Sequence, residues 1–231
     1  MQYALPPHTP AAVPVFGSEQ LFPVHRIYCV GRNYAEHAKE MGGTGREAPF
    51  FFMKPADAVL AVAHDSVGEM PYPAMTHDLH HEIELVVAIG KGGREISAAQ
   101  AMQHVWGYAI GLDMTRRDLQ GEAKKLGRPW CTGKGFDHSA PIGPIHRLAE
   151  TGPITGGAIT LAVNGVSRQQ GDIGQLIWNV AETIECLSKY YALQPGDLIF
   201  TGTPAGVAAV GAGDLMVGAI DGLGELQVRI V

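Results

Sequence analysis

His81-Glu82-Ile83-Glu84-Leu85-Val86-Val87-Ala88-Ile89, stopped by Gly90, is the stretch on which the fold turns. It is apolar, rich in β-branched residues and too short for a core helix, so it reads as a long strand. Alternation assigns Glu82, Glu84, Val86 and Ala88 to one face and Ile83, Leu85, Val87 and Ile89 to the other. Both faces are therefore largely apolar. Two carboxylates enter this largely apolar strand at one end.

Working outward, Phe22–Val30, Phe50–Met53, 105–114, 198–201 and 225–231 also read as strands, and Asn164-Gly165 is a type I′ hairpin signal between 159–163 and 166–168. One long amphipathic helix is predicted over 172–192, with Ile173, Leu176, Ile177, Val180, Ile184 and Leu187 as its stripe. Shorter helices are expected after an Asn33 N-cap (to about 41), over 96–104 and over 115–125. Residues 127–157 are expected to be mostly irregular. The class is α+β, mostly β, with an arm at 1–21 and a single domain at 22–231. Gly (30) and Pro (15) together approach a fifth of the 231 residues, against about 12% in average usage. That much punctuation fits short elements joined by tight turns and argues against a helical bundle.

The formal net charge is -6, and no Lys/Arg run exceeds two residues, so nucleic acid is not an expected partner. No apolar run approaches the ~18–20 residues that span a bilayer. The Pro-rich start (Pro6, Pro7, Pro10, Pro14) lacks the basic and apolar regions of a secretory signal, and Cys29, Cys131 and Cys186 have no paired spacing. A cytoplasmic protein with reduced thiols is the expectation.

Glu82 and Glu84, two apart on a strand, lie on one face about 6.5–7 Å apart. Both repulsion and burial are relieved by a hard cation, or by exposure of the strand end to water. Asp113 ends another apolar strand (WGYAIGLD, 106–113) and supplies a third carboxylate. With no cysteine nearby, the set favours Mg²⁺ or Mn²⁺ over zinc. His80 and His81 adjoin it as ligands, as orienting groups or as solvent-facing side chains. His37 and Glu40, at i and i+3, share a helix face, an arrangement that suits a general base but is common on surface helices. Lys134 between Gly133 and Gly135, and Thr203 after Gly202, sit where backbone can approach a ligand closely, or simply turns. The GxxxxGK[ST] spacing of a phosphate-binding loop is absent.

In order along the chain, YCVGRNYAEHAKEMG (28–42), PFFFMKP (49–55), HHEIELVVAIG (80–90), GYAIGLDMTRRDLQ (107–120), WCTGKGFDHSAPIGP (130–144), LAVNGVSRQQGD (161–172) and LQPGDLIFTGTPAGV (193–207) resemble the fumarylacetoacetate hydrolase family, in its acylpyruvate hydrolase branch. The resemblance covers residue 22 to the end. It implies a mixed β-roll or barrel-like fold, a homodimer and one Mg²⁺ or Mn²⁺ per subunit on Glu82, Glu84 and Asp113. It further implies His37 and Glu40 as a water-activating dyad, Lys134 beside the metal, Arg117 and Gln120 on the substrate-facing side of the DxxxRDxQ segment, and Thr203 near the substrate carboxylate. Lys134 and Gln120 are taken as catalytic candidates with the dyad, and Arg32 and Tyr34 as substrate-binding candidates with Arg117 and Thr203. Arg46 is an alternative to Arg32 for a distant substrate carboxylate. The implied reaction is hydrolysis of a C–C bond in a 2,4-dioxo acid, with 3-fumarylpyruvate of gentisate breakdown favoured. Oxaloacetate decarboxylation or oxo-diacid isomerisation on the same metal are alternatives, and a non-catalytic ligand-binding dimer is a remote one.

Overall fold

The computed structural model describes residues 3–35 and 46–231. Ile83–Ile89 is the predicted strand and lies mid-sheet, antiparallel to Leu198–Phe200 on one side and Val105–Leu112 on the other. The sheet continues through Ile27–Gly31 to Phe50–Lys54 on one flank and through Ala140–Ile142 to Val59–Ala61 on the other. It is mixed: Leu198–Phe200 runs parallel to Ile27–Gly31. A second, five-stranded sheet orders Val166–Asp172, Ala158–Val163, Leu215–Ile220, Gly224–Ile230 and Val67–Met70. The protein is mostly β, with the larger sheet curled into a half-barrel.

The alternation read from the sequence separates two cores. Ile83, Leu85, Val87 and Ile89 join Ile159, Leu161, Met216 and Val228 of the second sheet and Val180, Ile184 and Leu187 of a helix. Val86 and Ala88 face the other way, onto Val13, Val15, Phe22 and Val24. Each fully buried Leu, Ile or Val stabilises by about 1.5–3 kcal/mol. Part of the N-terminal arm covers this second core, since Ala12–Pro14 pairs antiparallel with Leu21–Pro23.

Four expectations are corrected. The strand over 22–30 is two strands, Leu21–Pro23 and Ile27–Gly31, because Pro23 offers no N–H to extend the first ladder and residues 24–26 lie outside both. The long helix begins only at Val180 and ends at Tyr190. Asn179 caps it reciprocally with Glu182, and upstream Asp172 ends a strand and caps a 3₁₀ turn over Ile173–Gln175. The apolar stripe ran on through residues whose backbone bonds elsewhere: Ile177 and Trp178 N–H donate to Asn33. Residues 127–157 are less irregular than expected, holding the one-turn helices Cys131–Lys134 and Leu148–Thr151 and the strands Ala140–Ile142 and His146–Arg147. The 96–104 helix is reduced to Ala98–Ala101.

The Asn164-Gly165 hairpin forms, with both residues at positive φ (51° and 77°) as a type I′ turn requires. The helix expected after Asn33 falls largely on residues 36–45, outside the described residues. Among the described residues, no helix is long and apolar enough to cross a membrane.

Candidate active site

Strand pairing assembles the acids. Ile83 lies opposite Leu112 and Glu84 opposite Gly111, and Asp113 N–H donates to the Glu82 carbonyl at 2.8 Å. One carboxylate oxygen from each of Glu82, Glu84 and Asp113 lies within 4.8 Å of the others, and all three residues are buried. Three hard oxygen donors this close, with no sulfur among them, fit Mg²⁺ or Mn²⁺.

Three cations close round the acids. Lys134, from the one-turn helix Cys131–Lys134, donates at 2.8 Å to both Glu82 Oε2 and Asp113 Oδ2. Burial works against its charge, but Asp113 and Glu82 outweigh that and hold the ammonium above its ordinary range. Lys54 Nζ stands 2.8 Å from Asp113 Oδ1 and donates to the carbonyls of Met114 and Lys134. Arg117, opening the helix Arg117–Lys125, donates to Glu82 Oε1 and to Gln120 Oε1. That leaves the Gln120 amide N–H groups to donate. Glu84 receives only the Gly202 N–H, at 2.7 Å, among the bonds seen in the described residues. Burial, then the charges of Asp113 and Glu82, push its carboxyl well above the ordinary range.

A relay that the sequence reading missed positions the remaining groups. Gln169 Oε1 accepts from Ile83 N–H and lies 2.8 Å from His81 Nδ1, while its Nε2 donates to Thr203 Oγ1 and the Pro204 carbonyl. Thr203 therefore accepts from Gln169 and keeps its own hydroxyl proton for a ligand. His81 is fully buried, and burial lowers its pKa, so it orients Gln169 as a neutral ring. His80 is held between Asp78 and Arg117. Neither Lys54 nor Gln169 was assigned a role from sequence, although both lie in quoted motifs. The signal for Lys54 was the alternation Phe50, Phe52, Lys54, which puts a charge on an inward strand face. Gln169 offered none, because its partners are 34 and more residues away.

Asn33 is a second such fastener. Its carboxamide accepts from Trp178 N–H and donates to the carbonyls of Trp178 and Thr201. Gly202 sits against it at φ 105°, where a Cβ would stand 2.7 Å from Asn33 Cβ.

One cavity is lined by Glu82, Glu84, Asp113, Lys134, Gln120, Arg117, Thr203 and Arg32, with Phe50, Phe52 and Trp130 as its aromatic wall. Tyr34 departs from expectation. It is not among the lining residues; its ring packs in the core between the sheets, and its buried hydroxyl has no partner among the described residues. Arg46 is elsewhere too, paired with Glu182 and stacked on Trp178. His37 and Glu40 lie outside the described residues.

Residues 26–231 match the family model described as fumarylacetoacetate (FAA) hydrolase C-terminal. The chain belongs to the fumarylacetoacetate hydrolase family. Within it, the chain is 45% identical over 184 residues to a fumarylpyruvate hydrolase of a Ralstonia species, covering 80% of this chain and 93% of that one. It is 39% identical over 202 residues to an oxaloacetate tautomerase of Escherichia coli K12, covering 87% and 90%. It superposes with a TM-score of 0.98 on the crystal structure of fumarylpyruvate hydrolase from Pseudomonas aeruginosa in complex with Mn²⁺ and pyruvate, at 58% identity over 100% of this chain and 99% of that one.

Proposed function

We propose that this family member hydrolyses the C–C bond of a 2,4-dioxo acid, with 3-fumarylpyruvate the substrate that best fits. The observation that carries the reading is charge. Three buried carboxylates in one cavity wall are balanced by three basic side chains: Lys134 and Arg117 in the same wall, and Lys54 against Asp113. A divalent cation added to that balanced set leaves a local excess of positive charge, which suits an anionic, chelating dioxo acid rather than a neutral ester. Relatives named fumarylpyruvate hydrolase at 45% and 58% identity support the choice of acyl group.

Held by Glu82, Glu84 and Asp113, Mg²⁺ or Mn²⁺ would act as template and Lewis acid for the carboxylate and 2-oxo end of the substrate. The chain's own residues do the rest. His37, oriented by Glu40, takes a proton from water as the water oxygen bonds to the distal carbonyl carbon. Gln120 donates its amide N–H to the oxyanion that forms. The C3–C4 bond then breaks, its electron pair leaves in the enolate of pyruvate, and fumarate is released. Lys134 offsets the enolate charge from a position fixed before reaction. Thr203, whose oxygen is occupied by Gln169, donates its hydroxyl proton to the substrate carboxylate. Residues 22–231 would form the catalytic unit of a cytoplasmic homodimer serving gentisate breakdown.

A second reading is favoured by the relatives named oxaloacetate tautomerase and oxaloacetate decarboxylase. Decarboxylation needs the same enolate stabilisation without an attacking water. Incubating the protein with Mg²⁺ and 3-fumarylpyruvate while following the enol absorbance separates the two: brisk loss, abolished by EDTA, is expected. His37→Ala should remove hydrolysis and leave any oxaloacetate decarboxylation. Inert fumarylpyruvate beside rapidly consumed oxaloacetate would reverse the assignment.

A further inference from the structure

The strand Phe50–Lys54 projects Phe50, Phe52 and Lys54 from one face, opposite Gly31, Cys29 and Ile27 of its neighbour. A cation attends each step. Lys54 lies deepest, at 1% exposure against Asp113. Lys134 Nζ sits 5.0 Å from the Phe52 ring centroid, and Arg32 Cζ sits 5.8 Å from that of Phe50, at the outer end. The first two are paired with carboxylates. Arg32 has no acidic partner among the described residues, and its Nε is buried without a hydrogen bond there. Its backbone is also in the left-handed region, at φ 56°, where glycine would be unstrained and an arginine side chain is unfavourable. Gly31 beside it lets the Phe50 ring close down, since a Cβ at Gly31 would stand 2.1 Å from that ring.

The geometry points to Arg32 as the specificity residue that reads a second carboxylate, at the far end of the substrate. This rests on the proposed placement of the 2-oxo acid end at the acidic triad and Lys134. Residues two apart on a strand are separated by about 6.5–7 Å, the spacing of Phe52, which Lys134 attends, and Phe50, which Arg32 attends. An extended chain advances about 3.5 Å per three bonds, so the five bonds from the 2-oxo carbon to the distal carboxyl carbon of fumarylpyruvate span about 6 Å. The guanidinium fork suits that carboxylate. Arg46, the other candidate, is spent on Glu182 and Trp178.

The test is a specificity ratio: kcat/KM for 3-fumarylpyruvate divided by that for acetylpyruvate, which ends in a methyl group. Arg32→Gly keeps the backbone conformation accessible. It should lower the ratio about 10–100-fold, the range for losing a charge-assisted hydrogen bond, with the change in KM for the diacid. Arg32→Lys should restore part of it. An unchanged ratio in Arg32→Gly, whether both substrates fall together or neither does, overturns the assignment. If the wild-type protein hydrolyses neither compound, the hydrolase reading fails separately. The ratio of 3-fumarylpyruvate to acetylpyruvate affinity, measured by calorimetry with Mn²⁺, then decides: a selective loss for the diacid in Arg32→Gly upholds the role, and a ratio equal to that of wild type removes it.

Discussion

Asp197 and Glu84 are both buried acids, and they stand at opposite ends of the same short strand, Leu198–Phe200. Asp197 precedes that strand; Gly202, just beyond it, donates to Glu84. Asp197 takes two bonds from Arg26, one from Gln194 N–H, and lies 2.8 Å from His25 Nδ1. It does not line the active-site cavity. Glu84 takes one backbone bond, shares its space with two more carboxylates and does line it. Burial of charge is common to both. What separates a fastening from a reactive site is whether the charge is already answered by the chain and whether a ligand can reach it.

Substitutions should behave oppositely at the two ends. Glu84→Gln should cost roughly 10³-fold in kcat, from the several kcal/mol of a lost metal contribution, while the urea midpoint holds or rises because a costly buried acid is gone. Asp197→Asn should leave the turnover of folded protein intact and lower stability by about 3–5 kcal/mol, the cost of breaking a buried pair. Comparable unfolding shifts in the two variants would erase the distinction.

His146 supplies a smaller, third case, a buried titratable group kept neutral. Burial lowers its pKa beneath the ordinary 6.5, against a weaker opposing pull from Glu150, and its ring stacks on Phe16 at 4.1 Å. A depressed folded value means fewer protons bound when folded. Its contribution is present above pH 6.5 and lost as pH falls through the folded value. His146→Phe should flatten the pH dependence of the urea midpoint in that window. An unchanged slope would show that the ring is not what titrates.

The sequence made legible what depends on near neighbours. Alternation in 81–89 separated two cores, Asn164-Gly165 set a turn, and carboxylates in apolar strands marked three site acids. It failed where a distant partner decides. The helix stripe from Ile173 ran on through Ile177 because apolar spacing cannot register that Asn33 claims the intervening backbone. Gln169, Lys54 and Asp197 act through partners as far as 88, 80 and 172 positions away along the chain. Tyr34 was misplaced for the same reason, since its motif sits at the site while its ring turns into the core.

Gly202 has a consequence for how this protein tolerates change. One methyl group there would be forbidden twice, by its dihedral and by Asn33 2.7 Å away. Any accommodation would shift the amide that grips Glu84 and the carboxamide that pins Trp178 in the same movement. Gly202 is therefore a point of mechanical failure for the site, although it carries no charge and performs no chemistry. Mutational scans that look only at ionisable positions would pass over it.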